Sequence, residues 1–215
     1  MSTLTFYTHP MSRGRIARWM LEEVGQPYDT VVIDYGPRDP AFMALNPMGK
    51  VPALTHGEVV VTECAAICAY LADTFERPGL APALDDPARG AYLRWMFFAA
   101  GPLEAAMVNE ALGLRSDDER APSILGYGTV EQVIDTLEGA LDGVEYIVGD
   151  RFSAADVYLG SHVIWHLAQG TLPERPTFRA YADRLMARPA AIKAAQIDDE
   201  LLKLHPFPGM EEMGS

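Results

Sequence analysis

Nearly every strand signal in this chain falls within its first 76 residues, and the rest of the chain reads as helix. The runs Leu4 to Tyr7, Asp29 to Ile33, Val51 to Leu54 and Val59 to Val61 are short and rich in β-branched and aromatic residues. Between the first two, Arg13 to Val24 has helical spacing: Ile16, Trp19, Met20 and Leu21 recur on one side and Gly25 supplies a stop. Gly36, Pro37 and Pro40 punctuate a loop, and Thr55-His56-Gly57-Glu58 is a hairpin-length connection. A helix from Glu63 to about Phe75 closes the unit. The order, βαβ then an irregular stretch then ββα, predicts an α+β domain with a small mixed sheet.

Pro78, Gly79, Pro82 and Pro87 mark a linker over residues 78–87, which separates a first domain of residues 1–77 from a helical domain of residues 88–215. Helical stretches in the second fit about 88–111, 129–142, 154–168, 174–187 and 189–203, with His205 to Ser215 as a loose tail. The chain has 30 acidic against 17 basic residues, a net charge of −13, and most of the excess lies in the helical half. Clustered Lys and Arg drive binding to phosphate backbones, so nucleic acid and anionic membranes are poor partners. The longest apolar stretch, Trp95 to Met107, is broken by Gly101, Pro102 and Glu104, and no segment offers the roughly 20 apolar residues of a membrane span. The start, Met-Ser-Thr-Leu-Thr-Phe-Tyr, lacks a secretory pattern, and the cytoplasm is the expected compartment. Cys64 and Cys68, four apart on one helix, are expected as free thiols.

Four local patterns bear on chemistry. Tyr7-Thr8-His9-Pro10-Met11-Ser12-Arg13 leads from strand to helix and puts the Ser12 hydroxyl where free N–H groups favour an anion such as a thiolate. Ser12 is equally explained as an N-cap. In Asn46-Pro47-Met48-Gly49-Lys50-Val51-Pro52, a cis Val51-Pro52 bond would turn the Val51 main chain outward to pair with an extended peptide; the plainer reading is an edge-strand proline. In Thr62-Glu63-Cys64, a carboxylate beside a helix N-terminus could take the ammonium and carboxylate of one amino acid, or simply favour the helix dipole. Ser153-Ala154-Ala155-Asp156 is a capping-box pattern and reads as structural. His162 and His166 have the spacing of a zinc pair, but no Glu follows His162 and no third ligand is evident, so no metal is expected. His9 reads as loop structure rather than as a general base, since nothing in the sequence orients it.

Taken in this order across about 150 residues, the four motifs resemble those of bacterial cytosolic glutathione transferases of the serine type. The resemblance implies a thioredoxin-like N-terminal domain, an all-α C-terminal domain and a homodimer. It further implies glutathione as co-substrate without a metal, and an apolar electrophile pocket between the domains. Carried over position by position, it makes Ser12 the hydroxyl that hydrogen-bonds the glutathione sulfur, with Tyr7 as the alternative donor. Val51, ahead of a cis Pro52, would pair with the cysteinyl part and Lys50 would approach the glycyl carboxylate. Glu63 and position 64 would hold the γ-glutamyl end. Position 64 departs from the pattern, which has Ser where this chain has Cys64. Trp95, Phe98 and Met107 fall where the family builds its pocket, although apolar residues at such spacing also make core.

The activity so implied is conjugation of the glutathione thiolate to small apolar electrophiles. A glutathione-dependent isomerase or dehalogenase on the same scaffold, or a non-catalytic partner-binding protein, are the alternatives. A thiol-disulfide enzyme is disfavoured because position 12 is Ser and no Cys-x-x-Cys occurs.

Overall fold

The computed structural model describes residues 3–75, 79–114 and 116–206. Pro78 of the linker, and the tail beyond Pro206, lie outside the described residues. The chain divides into two compact units, one of Met1–Glu76 with Arg188–Ser215 and one of Arg77–Ala187.

In the first unit, strands β1 (Leu4–Thr8), β2 (Tyr28–Val32), β3 (Ala53–His56) and β4 (Val59–Thr62) form one sheet in the order β2-β1-β3-β4. β1 and β2 are parallel and the other two pairs antiparallel, as expected of a mixed sheet. The β3–β4 turn is two residues long, and Gly57 adopts the left-handed φ of 61° that such a turn needs. Period-two alternation divides β1: Leu4, Phe6 and Thr8 are buried, Thr5 and Tyr7 half-buried. Helix α1 (Gly14–Val24) lies on the Phe6 side, with the Arg18 guanidinium 5.1 Å from the Phe6 ring centre. On the other side, helix α2 (Pro40–Leu45) brings Phe42 to 5.7 Å from the Tyr7 ring. This helix stands where the prolines predict only loop. The Asp39 side chain accepts the Ala41 N–H and Pro40 opens the first turn, a start signal hidden among the prolines. Helix α3 (Cys64–Thr74) packs against α1.

The second unit is helical. It comprises α4 (Ala88–Phe98), a π-helical turn at Ala99–Leu103, α5 (Glu104–Ala111), α6 (Ala121–Ile124), α7 (Val130–Leu141), α8 (Ala154–Ala168) and α9 (Pro176–Met186). The single helix expected over 88–111 is thus interrupted. Pro102 cannot donate to a helical ladder, and the wider turn accommodates it without ending the helix. Helix α8 is buried on most sides, which explains its weak amphipathic pattern.

The last helix, α10 (Pro189–Leu204), departs from the expected helical domain of residues 88–215, because its contacts are with α1 of the first unit. Arg18 and Asp198, each 1% exposed, form an ion pair at 2.7 Å. Arg18 also donates to Tyr28 at 3.2 Å and Thr30 at 3.3 Å. Arg188 makes two bonds to Glu23, Lys193 pairs with Glu22 and Arg15 with Asp199. Partners up to 184 positions apart leave no trace in local periodicity. No described helix is long and apolar enough to cross a membrane.

Candidate functional site

Sheet register brings three of the four motifs to one place. Tyr7 pairs with Ala53, and Ala53 with Thr62, so these residues form one row across the sheet. The end of β1 continues into the Ser12 loop, the start of β3 is preceded by Val51-Pro52, and the end of β4 continues into Glu63-Cys64. The N-termini of α1 and α3 therefore open at the same end of the sheet. The Cys64 thiol confirms the approach by donating to the Arg13 carbonyl at 3.4 Å.

Within the first loop, every carbonyl from His9 to Arg13 is taken. His9 O receives the Ser12 hydroxyl at 2.6 Å, Pro10 O receives Arg15 Nε at 2.7 Å, and Met11 O receives the Tyr35 hydroxyl at 2.9 Å. Ser12 O and Arg13 O receive the N–H groups of Arg15 and Ile16 at 3.2 and 3.1 Å. Ser12 Oγ also accepts the Gly14 N–H at 3.0 Å, so this half-buried hydroxyl is both acceptor and donor, while the N-cap position of α1 falls one residue later, on Arg13, which makes no side-chain cap bond. A Cβ at position 14 would sit 1.9 Å from Thr8 Oγ1 and 3.0 Å from Ser12 Oγ, so any larger residue there would displace these side chains. His9 is 2% exposed, and its Nδ1 accepts the Met11 N–H at 3.1 Å, in keeping with a loop role. Burial, the largest influence, pushes the His9 imidazole below its ordinary value of 6.5; Asp34 opposes this, and His205 and Arg38 add to it. Tyr7 is half-buried, and its phenol has no hydrogen-bond partner among the described residues.

The Val51-Pro52 peptide is cis, as the sequence reading anticipates. Among the described residues neither the N–H nor the C=O of Val51 has a partner. The preceding loop is fixed by Asn46, whose Nδ2 donates to Lys50 O at 2.8 Å and whose Oδ1 accepts the Met48 N–H at 3.2 Å. The Lys50 side chain is exposed and makes no ion pair among the described residues. Glu63, also exposed and likewise unpaired, has φ 65°, the one positive φ among the described non-glycine residues. Such a conformation costs about 1–3 kcal/mol and collects at binding sites. Glu63 does not cap α3, so that helix start keeps its free N–H groups. Cys64 is buried with its thiol turned towards Arg13. Cys68 is buried behind it, and a hydrogen bond with Cys64, then burial, push its thiol well above the ordinary range. Both cysteines are free thiols.

The remaining expectations fall in the helical unit. Trp95 and Met107 are core residues there, at 5% and 0% exposure, while Phe98 is half-buried with its ring 5.2 Å from Trp95. The Ser153 box is complete: Asp156 accepts the Ser153 N–H at 2.9 Å and the Ser153 hydroxyl accepts the Ala155 N–H at 3.3 Å. Asp156, fully buried, also accepts the Ile147 N–H and the Tyr181 hydroxyl, each at 2.8 Å. The His162 and His166 rings stack 6.1 Å apart; His162 approaches Glu104 at 3.4 Å and His166 bonds Thr171 at 2.8 Å. Among the described residues no group of three or more His, Cys, Asp or Glu is arranged to hold a metal.

Sequence reasoning missed the brace of Tyr35 on Met11 and of Arg15 on Pro10, since a tyrosine after β2 and an arginine in α1 carry no motif. The Glu63 backbone was equally hidden, because glutamate gives no local signal for positive φ.

Comparison with known proteins agrees with this geometry. A family model for the glutathione S-transferase N-terminal domain matches residues 6–79, and one for the glutathione S-transferase C-terminal domain matches residues 127–189. The crystal structure of a theta class glutathione S-transferase from Xanthomonas axonopodis pv. citri, with glutathione bound, is 30% identical. It aligns over 91% of this chain and 98% of its own, with a TM-score of 0.71. A sphingomonad glutathione S-transferase complexed with glutathione is 27% identical over 91% of this chain and 98% of its own, also at TM-score 0.71. Glutathione S-transferase 3 of Zea mays is 28% identical over 211 residues, 88% of this chain and 92% of the maize protein. Two domain models in the family's order, and a 30% identical relative matched over almost its whole length, place the chain in the glutathione S-transferase family.

Proposed function

We propose that this chain is a glutathione transferase that binds glutathione in its first unit, activates the thiol with Ser12 and presents it to small apolar electrophiles. The observation that carries the reading is the Val51 main chain, unpartnered among the described residues and set at the same sheet end as the Ser12 hydroxyl and the Glu63 carboxylate, which is likewise unpaired among them. An extended tripeptide needs such an arrangement. Val51 pairs with the cysteinyl residue as a one-residue added strand. Glu63 takes the γ-glutamyl ammonium, and the Cys64 N–H at the α3 start takes its carboxylate. The Lys50 ammonium approaches the glycyl carboxylate.

A free thiol ionises near ~8.5, and only the thiolate is a good nucleophile. With the Ser12 Oγ anchored on the Gly14 N–H, its O–H turns from the His9 carbonyl to the sulfur by rotation about Cβ–Oγ alone. Donor and α1 dipole together lower the thiol pKa by about two units. In the helical unit, half-buried Phe98 offers more surface to an electrophile than Trp95 or Met107. Exposed Phe97 and Leu93 on α4, and Val59 and Val60 on edge strand β4, are apolar surfaces suited to a second copy in a homodimer.

Titration with glutathione tests the reading directly. Expected are saturable binding, thiolate absorbance at neutral pH and turnover of a chloroaromatic. Failure to bind glutathione overturns it. Binding with turnover only of haloalkanes or of cis-dienone acids replaces conjugation by dehalogenation or isomerisation, and binding with no turnover favours a partner-binding role.

A further inference from the structure

His9 adjoins the Ser12 hydroxyl, which donates to its main-chain carbonyl. Its ring is buried, set edge-on to Tyr35 at 4.5 Å between centres, and its Nδ1 holds the Met11 N–H. Its own carbonyl is the resting acceptor of the Ser12 O–H at 2.6 Å and lies 3.5 Å from the Thr8 hydroxyl. Tyr35, in contact with the His9 ring, holds the same turn by donating its hydroxyl to Met11 O at 2.9 Å. Ser12 Oγ is thus pinned between the Gly14 N–H and a carbonyl whose direction depends on the His9 ring.

We propose that His9 is a positioning residue for thiol activation, holding through the Met11 N–H the turn that aims the Ser12 hydroxyl at the glutathione sulfur. The inference rests on the assignment of Ser12 as the thiol's hydrogen-bond donor. Because the Met11 N–H donates, Nδ1 must keep its lone pair, and the neutral ring carries its proton on Nε2. A proton on Nδ1 would set donor against donor and open the turn. The groups that act on the ring are Asp34, which favours the charged form, and His205 and Arg38, which together with burial oppose it. His9 touches no reacting atom; its contribution is a donor already in place when the thiolate forms, which is where such hydroxyls gain most.

Two replacements separate position from bulk. His9→Asn puts Oδ1 where Nδ1 stands and keeps an acceptor for Met11, whereas His9→Gln carries its amide past that point and leaves the N–H unmatched. His9→Gln is expected to lower kcat about tenfold and raise the pKa of bound glutathione by about one unit, with KM for glutathione within about twofold. His9→Asn regains most of the loss. In a Ser12→Ala background, His9→Gln has no further effect. If His9→Gln fails to fold, Tyr35→Phe, which deletes only the hydroxyl on Met11 O, gives the same pattern at smaller amplitude. Equal behaviour of the Gln and Asn variants, an undiminished His9→Gln loss without Ser12, or an unchanged thiol pKa in Tyr35→Phe overturns the proposal. If Ser12→Ala itself leaves the thiol pKa unchanged, the Ser12 assignment falls and takes this inference with it.

Discussion

Ser12 and Ser153 each precede a helix and each accept a main-chain N–H on the hydroxyl, at 3.0 Å from Gly14 and 3.3 Å from Ala155. Around Ser153 the remaining groups are closed off. Asp156 completes the box and takes two more donors, from Ile147 and Tyr181. Around Ser12 no acid completes a box, the hydroxyl is half-buried, and its proton rests on a carbonyl it can leave by a single rotation. The start of α3 goes further: Glu63 bonds nothing among the described residues and holds an unfavourable φ. A helix start whose polar groups are all matched contributes stability; one left partly unmatched keeps groups in hand for a ligand. Of these three starts the closed one lies in the helical unit and both open ones in the sheet unit, where α2 adds a start that Asp39 closes.

Substitutions at each start can break that contrast. Ser12→Ala is expected to have the largest effect, a loss of about 10²–10³ in turnover with a raised thiol pKa and little change in melting temperature. Tyr7→Phe leaves both nearly unchanged, and the opposite pattern in the two variants would transfer the role to Tyr7. Next comes Asp156→Ala, which strands four buried donors, the N–H groups of Ile147 and Ser153 and the hydroxyls of Ser153 and Tyr181, and should cost about 3 kcal/mol by denaturant unfolding, more than the roughly 0.5–2 of a cap alone. The folded fraction should keep its affinity for glutathione; selective loss of binding at unchanged stability would make Asp156 functional. Glu63→Gly removes the carboxylate and relieves the positive φ, so calorimetry should show glutathione binding weakened about tenfold or more without a drop in melting temperature. A destabilised protein with intact binding would reverse the assignment of that helix start. The smallest change is expected from Cys64→Ser. The hydroxyl can still donate to Arg13 O and the main-chain N–H is untouched, so glutathione affinity stays within about threefold. A tenfold loss would show that the sulfur packs against the ligand.

How much of this was legible in the sequence tracks the same contrast. Ser153-x-x-Asp156 announced its helix because a capping box is local, with donor and acceptor three residues apart. The Thr62-Glu63-Cys64 and Val51-Pro52 patterns pointed to a ligand, but only the register Tyr7–Ala53–Thr62 shows why they meet Ser12. Helix α2 was lost because Pro40 reads as a breaker until Asp39 is seen capping it. The form of the break in the 88–111 helix was not legible because Pro102 in a sequence does not distinguish a helix that ends from one that takes the proline into a wider π turn. At position 64 the resemblance implies a contact with the γ-glutamyl end and the residue type departs from the pattern, whereas the thiol faces inward on Arg13. That orientation depends on how α1 and α3 pack, which no local pattern records.

The pairing of Arg18 with Asp198 also bears on how the protein is made. The ribosome completes the sheet unit's strands early, yet the carboxylate that neutralises Arg18 emerges 180 residues later, after the whole helical unit. Until then a guanidinium destined for burial has no counter-charge, a state that costs about 3–5 kcal/mol once water is excluded. The nascent sheet unit therefore stays incomplete during synthesis while the helical unit, whose segments are contiguous, is free to form first. Folding order and chain order would then run opposite ways, and a chain arrested before α10 would expose the face of α1 to quality-control machinery.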